Sequence, residues 1–163
     1  MGSLRFYFSL LAAKTAYRAL QLTRLSAGTS IIGRYVLKLC PDFLKQCNPY
    51  ISTKINVTGT NGKTTTSGLI THLIKESGKS VINNAMGANM LTGVVNAVAV
   101  SLNPCEQTDF SVIESDEAYL AKIYDQFEAD YLIVTNLFRD QLDRYGEIDI
   151  TVDLLNEAID MAG

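Results

Sequence analysis

The sequence is poor in the residues that build metal knuckles and disulfide frameworks. Its three cysteines, Cys40, Cys47 and Cys105, are odd in number and match neither a Cys-x-x-Cys pair nor a zinc-finger spacing. Free thiols in a reducing compartment are the expectation. Histidine occurs once, at His72, inside a predicted helix, where a surface or packing role fits better than ligation. Charge is sparse, at 19% of residues with a net value of −3. A broad basic surface of the kind that binds nucleic acid is therefore missing, although a local basic pocket for phosphates is not excluded. No apolar run approaches the ~20 residues of a membrane-spanning helix. The stretch Phe6 to Ala13, preceded by Arg5, has the look of a signal peptide, but Lys14, Arg18 and Arg24 follow at once and no small-residue cleavage site appears. Internal repeats and low-complexity tracts are absent. So is an Asn-Lys-x-Asp stretch, which argues against a guanine-specific switch.

What is present suffices for one domain with a hydrophobic core: 163 residues, 47% of them hydrophobic. Residues 1–50 read as a helical segment. Over 4–25, Phe8, Leu11, Thr15, Arg18, Leu22 and Leu25 follow three-and-four spacing, and Phe6, Leu10, Ala13, Tyr17 and Leu20 form a second row. So wide an apolar stripe needs a covering surface: the domain itself, another subunit, or lipid. A second helix is expected over 31–39, stopped at Cys40-Pro41. From 51 to 163 the pattern becomes alternating strand and helix. Strands are predicted at 54–58, 80–83, 110–114 and 131–135, the last apolar enough for a buried position in a parallel sheet. Helices are predicted at 63–77, with Leu69, Ile70, Leu73 and Ile74 along one face and Gly78 as its cap, at 116–127 and at 151–162. The apolar stretch 91–102 has helical spacing but many β-branched residues. The fold class that follows is α/β: a P-loop-type parallel sheet with helices on both faces, incomplete, behind an N-terminal helical segment.

The strongest local signal is Ile55-Asn56-Val57-Thr58 running into Gly59-Thr60-Asn61-Gly62-Lys63-Thr64-Thr65. A strand enters a glycine-containing turn and a helix leaves it. Glycines let bare N–H groups approach phosphate oxygens, and the helix start presents its positive dipole end to an anion. Lys63 can reach β- and γ-phosphates, and the Thr64 hydroxyl is placed for Mg²⁺. The general pattern has a further glycine where this chain has Val57, so the loop is the tight Gly-x-x-Gly-Lys-Thr form.

Glu114 closes an apolar strand and precedes Ser115-Asp116-Glu117. Ligands in parallel sheets bind beyond the carboxyl ends of strands, so Glu114 is a candidate Mg²⁺ ligand. Glu117 fits a simpler role at a helix start, through the dipole; Asp116 is open between the two. A third strand end, Val134-Thr135-Asn136-Leu137-Phe138-Arg139-Asp140-Gln141-Leu142-Asp143-Arg144-Tyr145-Gly146-Glu147, is dense in polar groups and reads equally as a site or as a solvated loop.

Taken together, Thr58 to Thr65, Gly87-Ala88-Asn89 and Asp140 to Tyr145 resemble the ATP loop, the Gly-Gly-Asn turn and the Asp-His-Leu-Asp stretch of the Mur ligase and folylpolyglutamate synthase superfamily. The stretch Gly33 to Leu44, Ile113 to Glu117 and Asn136 to Glu147 are most similar to its MurT branch, the ligase-like subunits of lipid II isoglutaminyl synthase. The resemblance implies ATP and Mg²⁺ chemistry through an acyl phosphate. It implies amidation of the D-glutamate α-carboxylate in the lipid II stem peptide, with ammonia from a GatD-like glutaminase subunit. It also implies a cytoplasmic place and allows a peripheral one at the inner face of the membrane. Carried over by residue, Lys63 and Glu114 are catalytic. Gly59, Thr60, Asn61, Gly62, Lys63, Thr64, Thr65 and Asn89 contact nucleotide, and Thr64 and Glu114 hold Mg²⁺. Gln141 stands where most Mur ligases have a metal-associated histidine, which leaves a second metal site open. The superfamily's later lysine and C-terminal domain lie past Gly163, so the chain is expected to be a front part, inactive alone. Another Mur or folylpolyglutamate-type ligase and a non-catalytic ATP-binding module are the alternatives.

Overall fold

Strands joined through helices cannot pair as hairpins, and here they align in parallel, as alternating β and α segments require. The computed structural model describes residues 2–22, 29–84, 88–136 and positions 153 and 156. The loop 137–147 and nearly all of the predicted helix 151–162 lie outside the described residues, as does Gly87.

The N-terminal segment forms α1 (Leu4–Leu22), α2 (Thr29–Leu39) and the short α3 (Phe43–Cys47), followed by a 3-10 turn at Asn48–Tyr50. The α/β part comprises β1 (Ile51–Thr58), α4 (Lys63–Glu76), β2 (Val81–Asn83), α5 (Leu91–Ser101), β3 (Thr108–Glu114), α6 (Glu117–Tyr124) and β4 (Tyr131–Val134). The sheet order is β2-β3-β1-β4 and every pairing is parallel. Right-handed crossovers in that order put α4 on one face and α5 and α6 on the other. Strand β1 begins at Ile51, three residues before the expected 54, because its opening residues already pair with β3, Ile51 opposite Thr108.

One hydrophobic core takes side chains from both sides of residue 50. Phe6, Leu10 and Ala13 of α1, Ile32 and Val36 of α2, and Phe43 and Leu44 of α3 pack with Ile82, Val94, Val95, Val98 and Ile113. Phe6 anchors α1 by stacking on Tyr50, with ring centroids 5.7 Å apart, and by lying against Phe43. Helix α2 crosses α5 so closely that a side chain at Gly33 would strike the Thr92 carbonyl. The stretch 91–102 is helical despite its valines: burial of Val94, Val95, Val98 and Ala99 outweighs a propensity cost of only tenths of a kcal/mol per residue.

Two expectations fail. Helix α4 does not turn Leu69 and Leu73 inward; both are exposed, and Ser67 and Thr71 face the sheet instead. Strand β4 is not buried on both sides. It pairs only with β1 among the described residues, and Tyr131 and Val134 are exposed on that edge.

Candidate functional site

Three strand ends, β1, β3 and β4, meet beneath the glycine loop. Gly59 has φ +120° and Gly62 φ +85°. A Cβ on Gly59 would collide with the Thr135 hydroxyl and stand 2.6 Å from the Asn136 carbonyl, so both the angle and the space demand glycine there. The loop is clamped by the end of β4. Thr60 N–H donates to the Asn136 carbonyl at 2.8 Å, and Asn61 N–H to Asn136 Oδ1 at 2.9 Å. Asn136 Nδ2 and the Thr135 hydroxyl both donate to the Asn61 carbonyl, at 2.9 and 2.7 Å. On the other flank the buried Thr58 hydroxyl donates to the Ser115 carbonyl at 3.0 Å.

Helix α4 begins at Lys63 with Gly62 as its N-cap residue and no side-chain cap. The first-turn N–H groups of an uncapped helix are ready donors for an anion. Thr64 and Thr65 are exposed at this end. The Lys63 ammonium folds back within the loop, donating to the carbonyls of Gly59 and Thr60, and lies 3.6 Å from Glu117 Oε2. Glu117 thus does more than favour the α6 dipole: it is the partner of the loop lysine. Asp116 caps α6, its Oδ1 accepting from Ala118 N–H at 3.0 Å. Its own N–H donates to the Asn89 carbonyl at 2.9 Å, which brings the 88–89 turn against the end of β3.

Glu114 is buried, and its Oε2 has no hydrogen-bond partner. A buried carboxylate oxygen without a partner is costly unless a cation or donor meets it, so this atom fits a Mg²⁺ ligand or a metal-bound water. Among the described residues no group of three or more His, Cys, Asp and Glu could hold a metal by itself.

Asn84 was not legible as a site residue. Its buried side chain copies a strand rung: Oδ1 accepts from Glu114 N–H at 2.8 Å, and Nδ2 donates to the Glu114 carbonyl at 2.7 Å and to the Ala88 carbonyl at 3.0 Å. The β2–β3 ladder ends one residue earlier, at Asn83 opposite Val112. An amide side chain directly after a short apolar strand was the available signal.

The arrangement is a glycine loop and an uncapped helix start beside an acidic strand end, with first-turn backbone donors free to receive an anion. The Mur ligase middle domain, as a family profile, matches residues 57–153, more than half of the chain. The chain belongs to the Mur ligase family. Among its relatives is the lipid II isoglutaminyl synthase (glutamine-hydrolyzing) subunit MurT of Staphylococcus aureus (strain COL), 38% identical over 136 residues, which cover 83% of this chain and 31% of that protein. The MurT subunit of Streptococcus pneumoniae (strain ATCC BAA-255 / R6) is 34% identical over 157 residues, covering 96% of this chain and 34% of that protein. The UDP-N-acetylmuramoylalanine–D-glutamate ligase of Christiangramia forsetii is 38% identical over 91 residues, 56% of this chain and 18% of that protein. In fold, the chain is similar to MurF from Acinetobacter baumannii, with a TM-score of 0.64 at 17% identity, covering 78% of this chain and 28% of that structure. The chain spans about a third of the length of its MurT relatives. The Mur ligase middle domain contains both the glycine loop and Glu114, so the described site lies in the part that the family shares.

Proposed function

We propose that this chain supplies the nucleotide-binding part of an ATP-dependent amide-forming ligase of peptidoglycan synthesis. The observation that carries the reading is the juxtaposition of an uncapped helix start behind the 59–64 loop with the buried, unpartnered Glu114 oxygen at the next strand end. In this reading the N–H groups of the loop and of the first turn of α4 hold the β- and γ-phosphates of ATP. Lys63 exchanges its loop carbonyls and Glu117 for phosphate oxygens. Thr64 and Glu114 hold Mg²⁺, which when bound neutralises charge on the transferring phosphoryl group. Asn89, fixed through its carbonyl to Asp116, lies at the edge where a γ-phosphate or acceptor would be contacted.

The similarity to MurT subunits favours a specific reaction. The α-carboxylate of D-glutamate in the lipid II stem peptide takes the γ-phosphoryl group from ATP. Ammonia attacks the acyl carbon, and phosphate leaves as the C–N bond forms. Ammonia would come from a GatD-like glutaminase subunit, on the cytoplasmic side where ATP is present. The similarity to D-glutamate-adding ligases favours a second reading, in which a free amino acid is the amine.

The test is to co-purify the full-length protein with a glutaminase subunit and follow glutamine-dependent amidation of lipid II. Ammonia and free D-glutamate supplied separately distinguish the two readings. Lys63→Ala is expected to abolish ATP hydrolysis, and Glu114→Gln to slow it and raise the Mg²⁺ concentration it requires. Hydrolysis near the wild-type rate in both variants would defeat the proposal.

A further inference from the structure

Helix α1 is apolar on two opposite sides, and the fold uses only one. Phe6, Leu10 and Ala13 point into the core. Half a turn away around the helix, Leu4, Phe8, Leu11 and Leu22 form a second row at helical spacing, exposed by 87, 60, 65 and 87%. Isolated exposed leucines are ordinary, but Leu4, Phe8 and Leu11 on consecutive turns, with Leu22 beyond Thr15 and Arg18 on the same side, make a contact surface.

Charge identifies the occupant. The first acidic residue of the chain is Asp42; before it come Arg5, Lys14, Arg18, Arg24, Arg34 and Lys38. Around α1, Arg5 flanks the outward row on one side and Lys14 and Arg18 on the other. Helix α2, packed against α1, repeats the combination: Ile31 and Tyr35 are exposed beside the exposed Arg34 and Lys38. Among the described residues, none of these five basic side chains makes an ion pair. The whole chain nevertheless carries net charge −3, so the remainder is strongly acidic. An apolar strip bordered by unpaired cations, on a body of opposite sign, is the pattern of a helix that lies in the headgroup layer of an anionic bilayer. Within this chain, residues 42–163 carry the opposite sign to the segment before Asp42, so repulsion from an anionic surface favours α1 turned toward it. No helix among the described residues is long and apolar enough to cross a membrane, in keeping with a helix that lies flat.

We infer that the outward face of α1, with the adjoining face of α2, docks the protein onto an anionic lipid bilayer. The apolar row supplies the insertion and the flanking cations the selectivity for anionic headgroups. The inference is independent of which reaction the phosphate cradle performs.

The experiment is co-sedimentation of the full-length protein with vesicles of phosphatidylcholine alone and of phosphatidylcholine with 30–40% phosphatidylglycerol, roughly the anionic content that gives a strong surface potential. Binding is expected only to the anionic vesicles, and it should weaken as salt is raised. Phe8→Ser with Leu11→Ser, and separately Arg5→Glu with Arg18→Glu, should each lower partitioning by about tenfold or more. These side chains are exposed, so the thermal midpoint and nucleotide binding of both variants should match wild type. Equal binding to neutral and anionic vesicles, no binding to either, or unchanged partitioning of both variants would overturn the inference. So would loss of a stable protein complex in the variants with no change in lipid binding, which would make the face a protein interface.

Discussion

Replacing Asn84 by alanine removes three hydrogen bonds in one step, and two of them satisfy the main chain of Glu114. A buried N–H or C=O left without a partner costs ~1–3 kcal/mol. Both groups of Glu114 are affected, and a water entering the vacated space would recover part of the loss. A destabilisation of about 2–4 kcal/mol is expected. Asn84→Asp keeps the shape and the acceptor for Glu114 N–H but turns the donor into an anion facing the carbonyls of Glu114 and Ala88. It should therefore be more harmful than alanine near neutral pH. The introduced carboxyl would be harder to ionise in the folded state than in the unfolded chain. Its penalty is therefore full above its folded pKa and fades as pH falls toward the unfolded value, where the protonated acid can donate again. Urea unfolding of wild type and both variants from pH 7 to pH 4 tests this, with Mg²⁺-nucleotide affinity measured alongside. An aspartate variant as stable as wild type at pH 7, or more stable than the alanine variant throughout, would refute the rung argument.

Gly59→Ala should abolish nucleotide binding, because its Cβ meets Thr135 and Asn136 at a positive φ; isothermal titration with ATP reads the loss. Asp109 accepts from Ser80 N–H and from the Ser80 hydroxyl, and pairs with Lys79 at 3.1 Å; these hold its carboxyl down at about 2. The stability this contributes is present above the usual carboxylate value and is lost as pH falls through about 2, so Asp109→Asn should flatten the dependence of the urea midpoint between pH 4 and 2. Burial pushes the Cys40 thiol up to about 11 and raises Cys47 well above its ordinary value, whereas Cys105 is exposed. A thiol reagent should accordingly modify Cys105 rapidly in the native protein, and Cys40 and Cys47 only after unfolding.

The glycine loop could be read directly because everything it needs is contiguous: a strand, two glycines, a lysine and a helix start. Glu114 stood out as a candidate because it closes an apolar strand and parallel sheets gather ligands at that end; its burial and its unpartnered oxygen came only with the fold. The inward face of α4 was half misread because its leucines outrank Ser67 and Thr71 in any apolar count: Ile70 and Ile74 are half-buried, but Ser67 and Thr71 are buried in place of Leu69 and Leu73. Tyr131 to Val134 reads as a strand buried in a parallel sheet because composition records apolarity, whereas among the described residues it pairs only with β1, and burial is a property of neighbours. The Lys63–Glu117 pair joins residues far apart in the chain, and no spacing rule brings them together.

By itself, the order of residues determined the local chemistry: which segments coil, which extend, and where bare N–H groups collect before a helix. Those outcomes depend on interactions within a few residues. Sheet order, the clamp of Thr135 and Asn136 on the loop, the Asn84 rung and the outward side of α1 were decided only in three dimensions. Each depends on which distant segment fills the space beside it, and a linear pattern carries no record of that neighbour.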